Sequence, residues 1–478
     1  MSIPHYSSLL AAKSGSGARR KVVCPFDQEP IATVELSDGD DVESALKQAY
    51  EHFRRREAWL TPSQRIGILR RTAELMTGQA NELAMLIASE GGKPLPDAKV
   101  EVARAIDGMV TCAELLRSSG GRVIPMDINA ASANRVAFTC YEPIGVVVAV
   151  SAFNHPLNLI VHQVAPAVAA GCPFIVKPAS DTPLSCLRLV AMLRQAGLPE
   201  AAGQVTVTNS SEVATALVTD PRVAFFSFIG SADVGWKLHS KLAAGTRSAL
   251  EHGGVAPVIV AADADLDAAA SKLCKGGFYH AGQVCVSVQR IYAHRSIAQQ
   301  LAERLAKLAA TLRVGDARLE DTEVGPMIRP NEVDRVHEWV QEAVSAGAQL
   351  LTGGHRLEPV TCYAPTVLLE PPAHCKVSTS EVFGPVVCVY AYDDLGAAIE
   401  RANALPVAFQ AAVFTRDYAT AMRVFRSIDA SAVMLNDHTA FRTDWMPFAG
   451  LRHAGLGVGG IPYTLHDMQI EKMFVGPI

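Results

Sequence analysis

Gly145-Val146-Val147-Val148-Ala149-Val150-Ser151-Ala152-Phe153-Asn154-His155-Pro156 is the stretch on which the fold turns. Val146 to Val150 is short and rich in β-branched residues, which predicts a buried strand. His155 to Ala170 follows with helical character, and Phe174 to Lys177 predicts a second strand. Strand, helix, strand in that order makes a parallel βαβ unit, because parallel neighbours need a long crossover. Downstream, Pro183 to Ala196 predicts a helix stopped by Gly197, and Val223 to Phe228 another strand. A second alternating block runs through strand Val258 to Ala261, helix Leu266 to Phe278, strand Val288 to Ala293 and helix Ala298 to Leu312. Helix Asn331 to Ala346 and strand Val387 to Tyr392 extend it. The expectation is an α/β protein with two α/β domains on open, parallel-type sheets and a seam near residue 250.

Upstream, Val42 to Phe53 and Arg65 to Glu90 carry apolar spacings near three and four, and Gly91-Gly92 closes the second helix. Gly120-Gly121 opens a different texture. Arg122 to Pro125 and Arg135 to Glu142 are strand-like around a polar turn, which predicts a protruding hairpin. The tail from Gly457 regains strand character over Met468 to Val475 and is expected to pair with that hairpin or with a neighbouring subunit.

A chain of 478 residues buries a large core and divides into two or three domains. Its formal net charge of −5, without blocks of like charge, gives no electrostatic footprint for nucleic acid. The ten cysteines form no Cys-x-x-Cys pair and no zinc-ligand spacing, so no metal site is expected. Such scatter reads as reduced thiols in a cytoplasmic protein. Met1 to Lys13 lacks the apolar core of a signal peptide, and no apolar run reaches the roughly 20 residues of a bilayer span.

Two segments combine a thiol and a carboxylate: Gly282-Gln283-Val284-Cys285 and Leu250-Glu251-His252-Gly253-Gly254. A thiolate attacks a carbonyl, and a carboxylate can then activate water against the acyl group. Taken singly, Cys285 reads first as an inert buried cysteine, and Glu251 as a surface carboxylate. Asn154 lies where a parallel strand ends, the place where α/β proteins bind ligands; its amide could hold an oxyanion or merely shape the turn before Pro156. Gly230-Ser231-Ala232-Asp233-Val234-Gly235 follows a strand and opens a helix, as a phosphate-binding turn does. Lys177-Pro178-Ala179-Ser180 ends another strand, where the lysine could meet a ribose or a phosphate, or simply be solvated.

Taken together, these segments resemble the aldehyde dehydrogenase superfamily. The resemblance covers about residues 20–475 and rests on seven segments in family order. They are Phe153-Asn154-His155-Pro156, Lys177-Pro178-Ala179, Phe228-Ile229-Gly230-Ser231 with Gly235, Leu250-Glu251-His252-Gly253-Gly254, Gly282-Gln283-Val284-Cys285, Glu381-Val382-Phe383-Gly384-Pro385 and Pro447-Phe448-Ala449-Gly450. It implies NAD(P)-dependent oxidation of an aldehyde to a carboxylic acid. Cys285 would form a thiohemiacetal and then a thioester, Asn154 with the Cys285 backbone N–H would hold the oxyanion, and Glu251 would activate water. Lys177 would meet the adenosine ribose, Ser231 the pyrophosphate, and Glu381 the nicotinamide ribose, with Phe383 beside the ring. The implied domains are a dinucleotide-binding one (1–119 and 143–249), a catalytic one (250–456) and a small β arm (120–142 and 457–478). That arm would join subunits into a homodimer or homotetramer. A CoA-acylating relative, or a non-catalytic scaffold of the same fold, are the alternatives; Glu251 argues against the first and an intact Cys285 against the second.

Departures from the family pattern bear on specificity. Many NAD-preferring members carry a glutamate at the place of Ser180, so NAD and NADP both stay open, although no Arg or Lys clamp is evident beside it. His252 stands where many relatives have leucine, and His155 where phenylalanine or tryptophan is common, as in members that take small polar or anionic aldehydes. Arg104, His438 and Arg442 are candidates for pairing a substrate anion. The alternative is structural, with Arg442 bonded to Asp444 and Arg104 to Glu101.

Overall fold

The computed structural model describes residues 3–12 and 17–478. Residues 1, 2 and 13 of the Met1 to Lys13 stretch lie outside the described residues. The chain begins with three strands left unassigned above: β1 (His5–Tyr6), β2 (Arg19–Val23) and β3 (Pro30–Glu35), in spatial order β1-β3-β2. Four helices follow: α1 (Gly39–Arg54), α2 (Pro62–Gly78), α3 (Ala80–Gly91) and α4 (Leu95–Ser118). The single helix expected over Arg65 to Glu90 is therefore two. Gly78 lowers helix propensity, and Gln79 leaves the helical region at φ −120°. Gly92, at φ 69°, then caps α3 in the left-handed conformation that glycine adopts without strain.

The hairpin of β4 (Val123–Ile124) and β5 (Arg135–Pro143) leads into β6 (Val146–Val150), α5 (Asn158–Ala170), β7 (Phe174–Lys177), α6 (Leu184–Gln195) and β8 (Gly203–Val205). Then come α7 (Ser211–Thr219), β9 (Val223–Ile229), α8 (Ala232–His239) and β10 (Arg247–Glu251). Helix α5 starts later than expected because Pro156 disfavours helical geometry at His155. The residues after β6 are thereby left as an irregular turn at the strand's carboxyl end.

The second block is β11 (Pro257–Val260), α9 (Leu266–Phe278), β12 (Arg290–His294), α10 (Arg295–Ala309) and α11 (Pro330–Ser345). It continues with β13 (Gln349–Thr352), β14 (Thr366–Leu369), α12 (Lys376–Thr379), β15 (Val386–Tyr392) and α13 (Leu395–Asn403). After β16 (Val407–Ala408) come β17 (Gln410–Phe414), α14 (Tyr418–Ser427) and β18 (Ala432–Leu435). The chain ends through β19 (Leu451–Arg452), β20 (Gly455–Leu456), α15 (Ile461–Asp467) and β21 (Gln469–Pro477).

Two open sheets organise these elements. One has the order β20-β10-β9-β6-β7-β8, parallel except for β20. The other has the order β13-β14-β15-β12-β11-β17-β18, parallel except for β13. Val146 to Ala149 and Val258 to Val260 are fully buried, as strands covered by helices on both faces must be. A third sheet, β21-β5-β4, pairs the tail with the hairpin in a ladder from Gln469↔Pro143 to Pro477↔Arg135. The chain passes between the two large sheets over residues 252–256, where β10 has ended and β11 has not begun. The carboxyl ends of β6, β9 and β10 thus face a cleft that the second block closes.

Candidate active site

Cys285 follows a turn that the backbone enters under strain. His280, Ala281 and Gly282 have φ of 50°, 53° and 68° in succession. Two non-glycine residues there cost roughly 1–2 kcal/mol each, strain that cores avoid and functional turns retain. At Gly282 an added Cβ would collide with the carbonyl oxygen of Gly384. Gln283 locks the turn. Its Nε2 donates to the carbonyls of His280 and Pro326, both at 3.3 Å, and its Oε1 accepts from Ile328 N at 2.9 Å. The thiol that follows is only partly buried, while Cys112, Cys172, Cys186 and Cys388 are sealed in the interior.

Glu251, the last residue of β10, brings Oε1 to 3.8 Å from Cys285 Sγ. Burial raises both pKa values. The neighbouring carboxylate pushes the thiol higher still, while Arg442 opposes both shifts. The thiol is therefore protonated at rest, and the adjacent carboxylate is the group able to take its proton. Asn154 donates one amide N–H to the carbonyl of Gln283 at 2.9 Å, which ties the turn after β6 to the Cys285 turn and leaves a second amide N–H.

All three side chains line one cavity of about 660 Å³. Arg104, His155 and Arg442 line it too, but the two arginines differ. Arg104 is bound in a fork by Asp444, at 3.1 and 2.7 Å, and Asp444 also accepts from Asn158 Nδ2 at 3.0 Å and His162 Nε2 at 2.7 Å. Glu101, the structural alternative weighed for Arg104, instead pairs with the buried Lys93 and accepts from the backbone N–H groups of Leu157 and Asn158. Arg442 is not bonded to Asp444. Its guanidinium lies 3.4 Å from the centroid of Phe448 and donates to His162 Nδ1 at 3.4 Å; its Nε is buried without a partner. Burial and Arg442 lower the His162 pKa to about 4, so the ring is neutral, giving a proton to Asp444 and offering a lone pair to Arg442. Among the described residues Arg442 forms no ion pair. Burial disfavours its charge, as does Arg104, while the charges of Glu251, Asp444 and Cys285 oppose the shift without pairing with it.

Gly230, Ser231, Glu381 and Phe383 line the same cavity; Lys177, Ser180, Gly235 and His438 do not. Gly235 lies beneath His252, whose ring would collide with any Cβ there. His438 packs on Gly276 of α9, beside Asp437. The cavity suits a dinucleotide on the evidence of its own polar atoms. Glu381 Oε1 and His252 Nε2 are buried without partners at its wall, and Ser231 opens α8, whose first N–H groups attract phosphate. Burial pushes the Glu381 carboxyl up to about 8, against the Gly254 N–H and Arg335, as befits a group waiting for a hydrogen-bond partner.

Three residues were missed from sequence. Asp444 holds Arg104, Gln283 fixes the Cys285 turn, and Tyr279 hydrogen-bonds His155 Nε2 at 2.9 Å. Gln283 and Tyr279 adjoin or belong to the cysteine segment, which was the signal. Asp444 had none, because its partners lie on α4 and α5.

Residues 12–474 match the sequence profile of the Aldehyde dehydrogenase family, and the chain belongs to that family. It is an NAD(P)-dependent oxidoreductase of the aldehyde dehydrogenase class. The 3-sulfolactaldehyde dehydrogenase of Priestia aryabhattai is 37% identical over 458 residues, covering 96% of this chain and 94% of the relative. Aldehyde dehydrogenase 21 of Physcomitrella patens, solved with its product succinate, superposes with a TM-score of 0.95 at 34% identity, covering 100% of this chain and 99% of that one. Glyceraldehyde-3-phosphate dehydrogenase GapN of Methanocaldococcus jannaschii, solved with NADP, gives a TM-score of 0.91 at 32% identity, covering 96% of this chain and 99% of that one.

Proposed function

We propose that the protein oxidises a small anionic aldehyde to its carboxylic acid through Cys285. The observation that carries this reading is the meeting, in one cavity, of the Cys285–Glu251 pair and a half-buried arginine, its Nε buried, without a carboxylate partner. Glu251 takes the thiol proton, and the thiolate adds to the aldehyde carbon. The free amide N–H of Asn154 and the backbone N–H of Cys285 receive the oxyanion. When bound, NAD or NADP supplies the acceptor for the hydride that leaves the tetrahedral carbon. A thioester on Cys285 remains. Glu251 releases the first proton to solvent and then takes one from water, the hydroxide adds to the thioester, and the acid departs as the thiolate is restored. A carboxylate this close to the sulfur supports hydrolysis over transfer to CoA. Lys177 and Ser180 would hold the adenosine ribose, Ser231 and Gly230 the pyrophosphate, and Glu381 and Phe383 the nicotinamide half.

The substrate class rests on Arg442. A guanidinium partly withdrawn from water without a carboxylate partner gains when an anion reaches it. Arg104 is already neutralised by Asp444, so Arg442 is the cation left for a carboxylate, sulfonate or phosphonate. Relatives that act on sulfolactaldehyde or carry succinate agree with this. On this reading residues 1–119 and 143–249 bind the dinucleotide, residues 250–456 carry the chemistry, and unpaired cysteines accord with a reducing, cytoplasmic setting.

The test compares succinate semialdehyde with propanal. Arg442→Met should raise KM for the anionic aldehyde roughly thirtyfold or more, as expected when a buried charge pair loses one member. KM for propanal should hardly move. Equal changes would overturn the anionic assignment. Cys285→Ala should abolish NAD(P)H formation while dinucleotide binding persists.

A further inference from the structure

Arg442 and Asp444 are two residues apart in the loop between β18 and β19, yet they do not pair, and His162 of α5 bridges them. The Asp444 carboxylate is already filled. Its Oδ1 accepts from Arg104 Nη2 at 2.7 Å, Asn158 Nδ2 at 3.0 Å and His162 Nε2 at 2.7 Å. Its Oδ2 accepts from Arg104 Nε at 3.1 Å. Four donors occupy the roughly four lone-pair sites of a carboxylate. A carboxylate only accepts and a guanidinium only donates. The imidazole proton therefore sits on Nε2, and the lone pair of Nδ1 faces Arg442, 3.4 Å from its Nη2. Burial and Arg442 bring the ring's pKa down to about 4, so it stays neutral in this tautomer. The same guanidinium lies over the Phe448 ring, 3.4 Å from its centroid.

A carboxylate that holds an arginine orients it and cancels its charge in one step. Arg442 is held instead by two neutral groups, a ring face and an imidazole lone pair. It is thereby oriented with its charge intact, at the wall of the cavity that contains Cys285. His162 is buried and does not line that cavity, so it acts on a bound molecule only through Arg442. We propose that His162 is the positioning residue of the substrate-anion site. Its Nδ1 lone pair, fixed in place by Asp444, sets the preference for anionic over neutral aldehydes. The proposal rests on the anionic reading above and adds the group that makes Arg442 selective.

The test separates the two ring nitrogens. Asparagine puts its carbonyl oxygen close to the place of Nδ1 but cannot reach Asp444. Glutamine puts its amide close to the place of Nε2, keeping the donor to Asp444 and vacating the Nδ1 position. Kinetics with succinate semialdehyde and with propanal are compared in the native protein, His162→Asn, His162→Gln and His162→Leu. His162→Gln and His162→Leu should raise KM for succinate semialdehyde about tenfold, the low end for a hydrogen bond to a charged group, with kcat little changed and propanal kinetics held. His162→Asn should keep most of the native preference. Calorimetric titration with succinate, a dianion that does not react, should follow the same order. A purely structural role predicts the reverse, because glutamine keeps the bond to Asp444 and asparagine loses it. That reversed order, or an equal rise in KM for both aldehydes, would overturn the proposal. Where leucine or asparagine prevents folding, His162→Gln decides alone, and native selectivity in it counts against the proposal. Arg442→Met is assayed in parallel. An unchanged preference there removes the anionic reading and this proposal with it; a lost preference there, beside native selectivity in His162→Gln, removes this proposal alone.

Discussion

At the scale of single residues, the proposed mechanism makes the Cys285–Glu251 contact set the pH behaviour. Burial is the main cause of the raised Glu251 pKa, and a base works only when ionised. As pH falls through that raised value the carboxylate is protonated and turnover is lost. The acid limb of kcat/KM should therefore lie above the ordinary carboxylate range of about 4.3. In Glu251→Gln the limb should disappear, with deacylation slowed more than the first burst of NAD(P)H. A lost burst with normal deacylation would contradict the assigned role. The residues of this pair were legible, because a short segment fixes each of them. The arginine pairings were not. The structural alternative for Arg104 was Glu101, its neighbour on one helix, yet it reaches Asp444 across the fold, while Glu101 turns to Lys93 and the start of α5. Local spacing offers candidate partners, and only the packing of α4 against α5 chooses among them.

At the scale of elements, two buried carboxylates from the early helices cap the helices that follow the site loops. Glu101 of α4 accepts from Leu157 N and Asn158 N at 3.0 Å each, fixing the turn of Asn154 and His155. Glu90 of α3 accepts from Leu184 N at 2.7 Å and Ser185 N at 2.8 Å, fixing the loop of Lys177 to Asp181. Orphan N–H groups at a buried helix start need such acceptors. Glu90→Ala should lower unfolding free energy by about 2–4 kcal/mol, the size of a lost buried cap with its cavity, as read by denaturant titration. Burial raises the Glu90 pKa to about 7 in spite of its donors. Its share of stability is thus complete below the unfolded value near 4.5 and is lost as pH rises through 7. In Glu90→Gln the decline between these values should flatten; an unchanged decline would assign it to other groups. Strands and crossover helices of both sheets were legible from periodicity. The break at Gly78-Gln79 and the strands β2 and β3 were not. The first was masked by apolar spacing that continues across it, and the second by Arg19, Arg20 and Lys21, which read as a polar loop although Val22 is buried.

At the scale of the whole molecule, the β21-β5-β4 sheet stands apart from the two large sheets in composition. Phe138 and Phe474 face each other across β5 and β21, stacked at 5.2 Å, yet each is about half exposed. Val123, Ile128, Met473 and Ile478 are exposed as well. Strand β21 is an edge, so among the described residues its outer N–H and C=O groups have no ladder partner. An apolar face bounded by a long open edge is a liability in a free monomer and marks a surface that another chain covers. The expected partner is a second copy, since the sheet contains both a face to bury and an edge to extend. Light scattering should therefore give the mass of a dimer or tetramer. Phe138→Glu combined with Phe474→Glu should move the protein toward monomer, because two charges per chain would have to be buried without partners. The cavity around Cys285 is lined by other elements, so the dissociated variant should keep its dinucleotide affinity. A native protein that already runs as a monomer would show that this face is left to solvent.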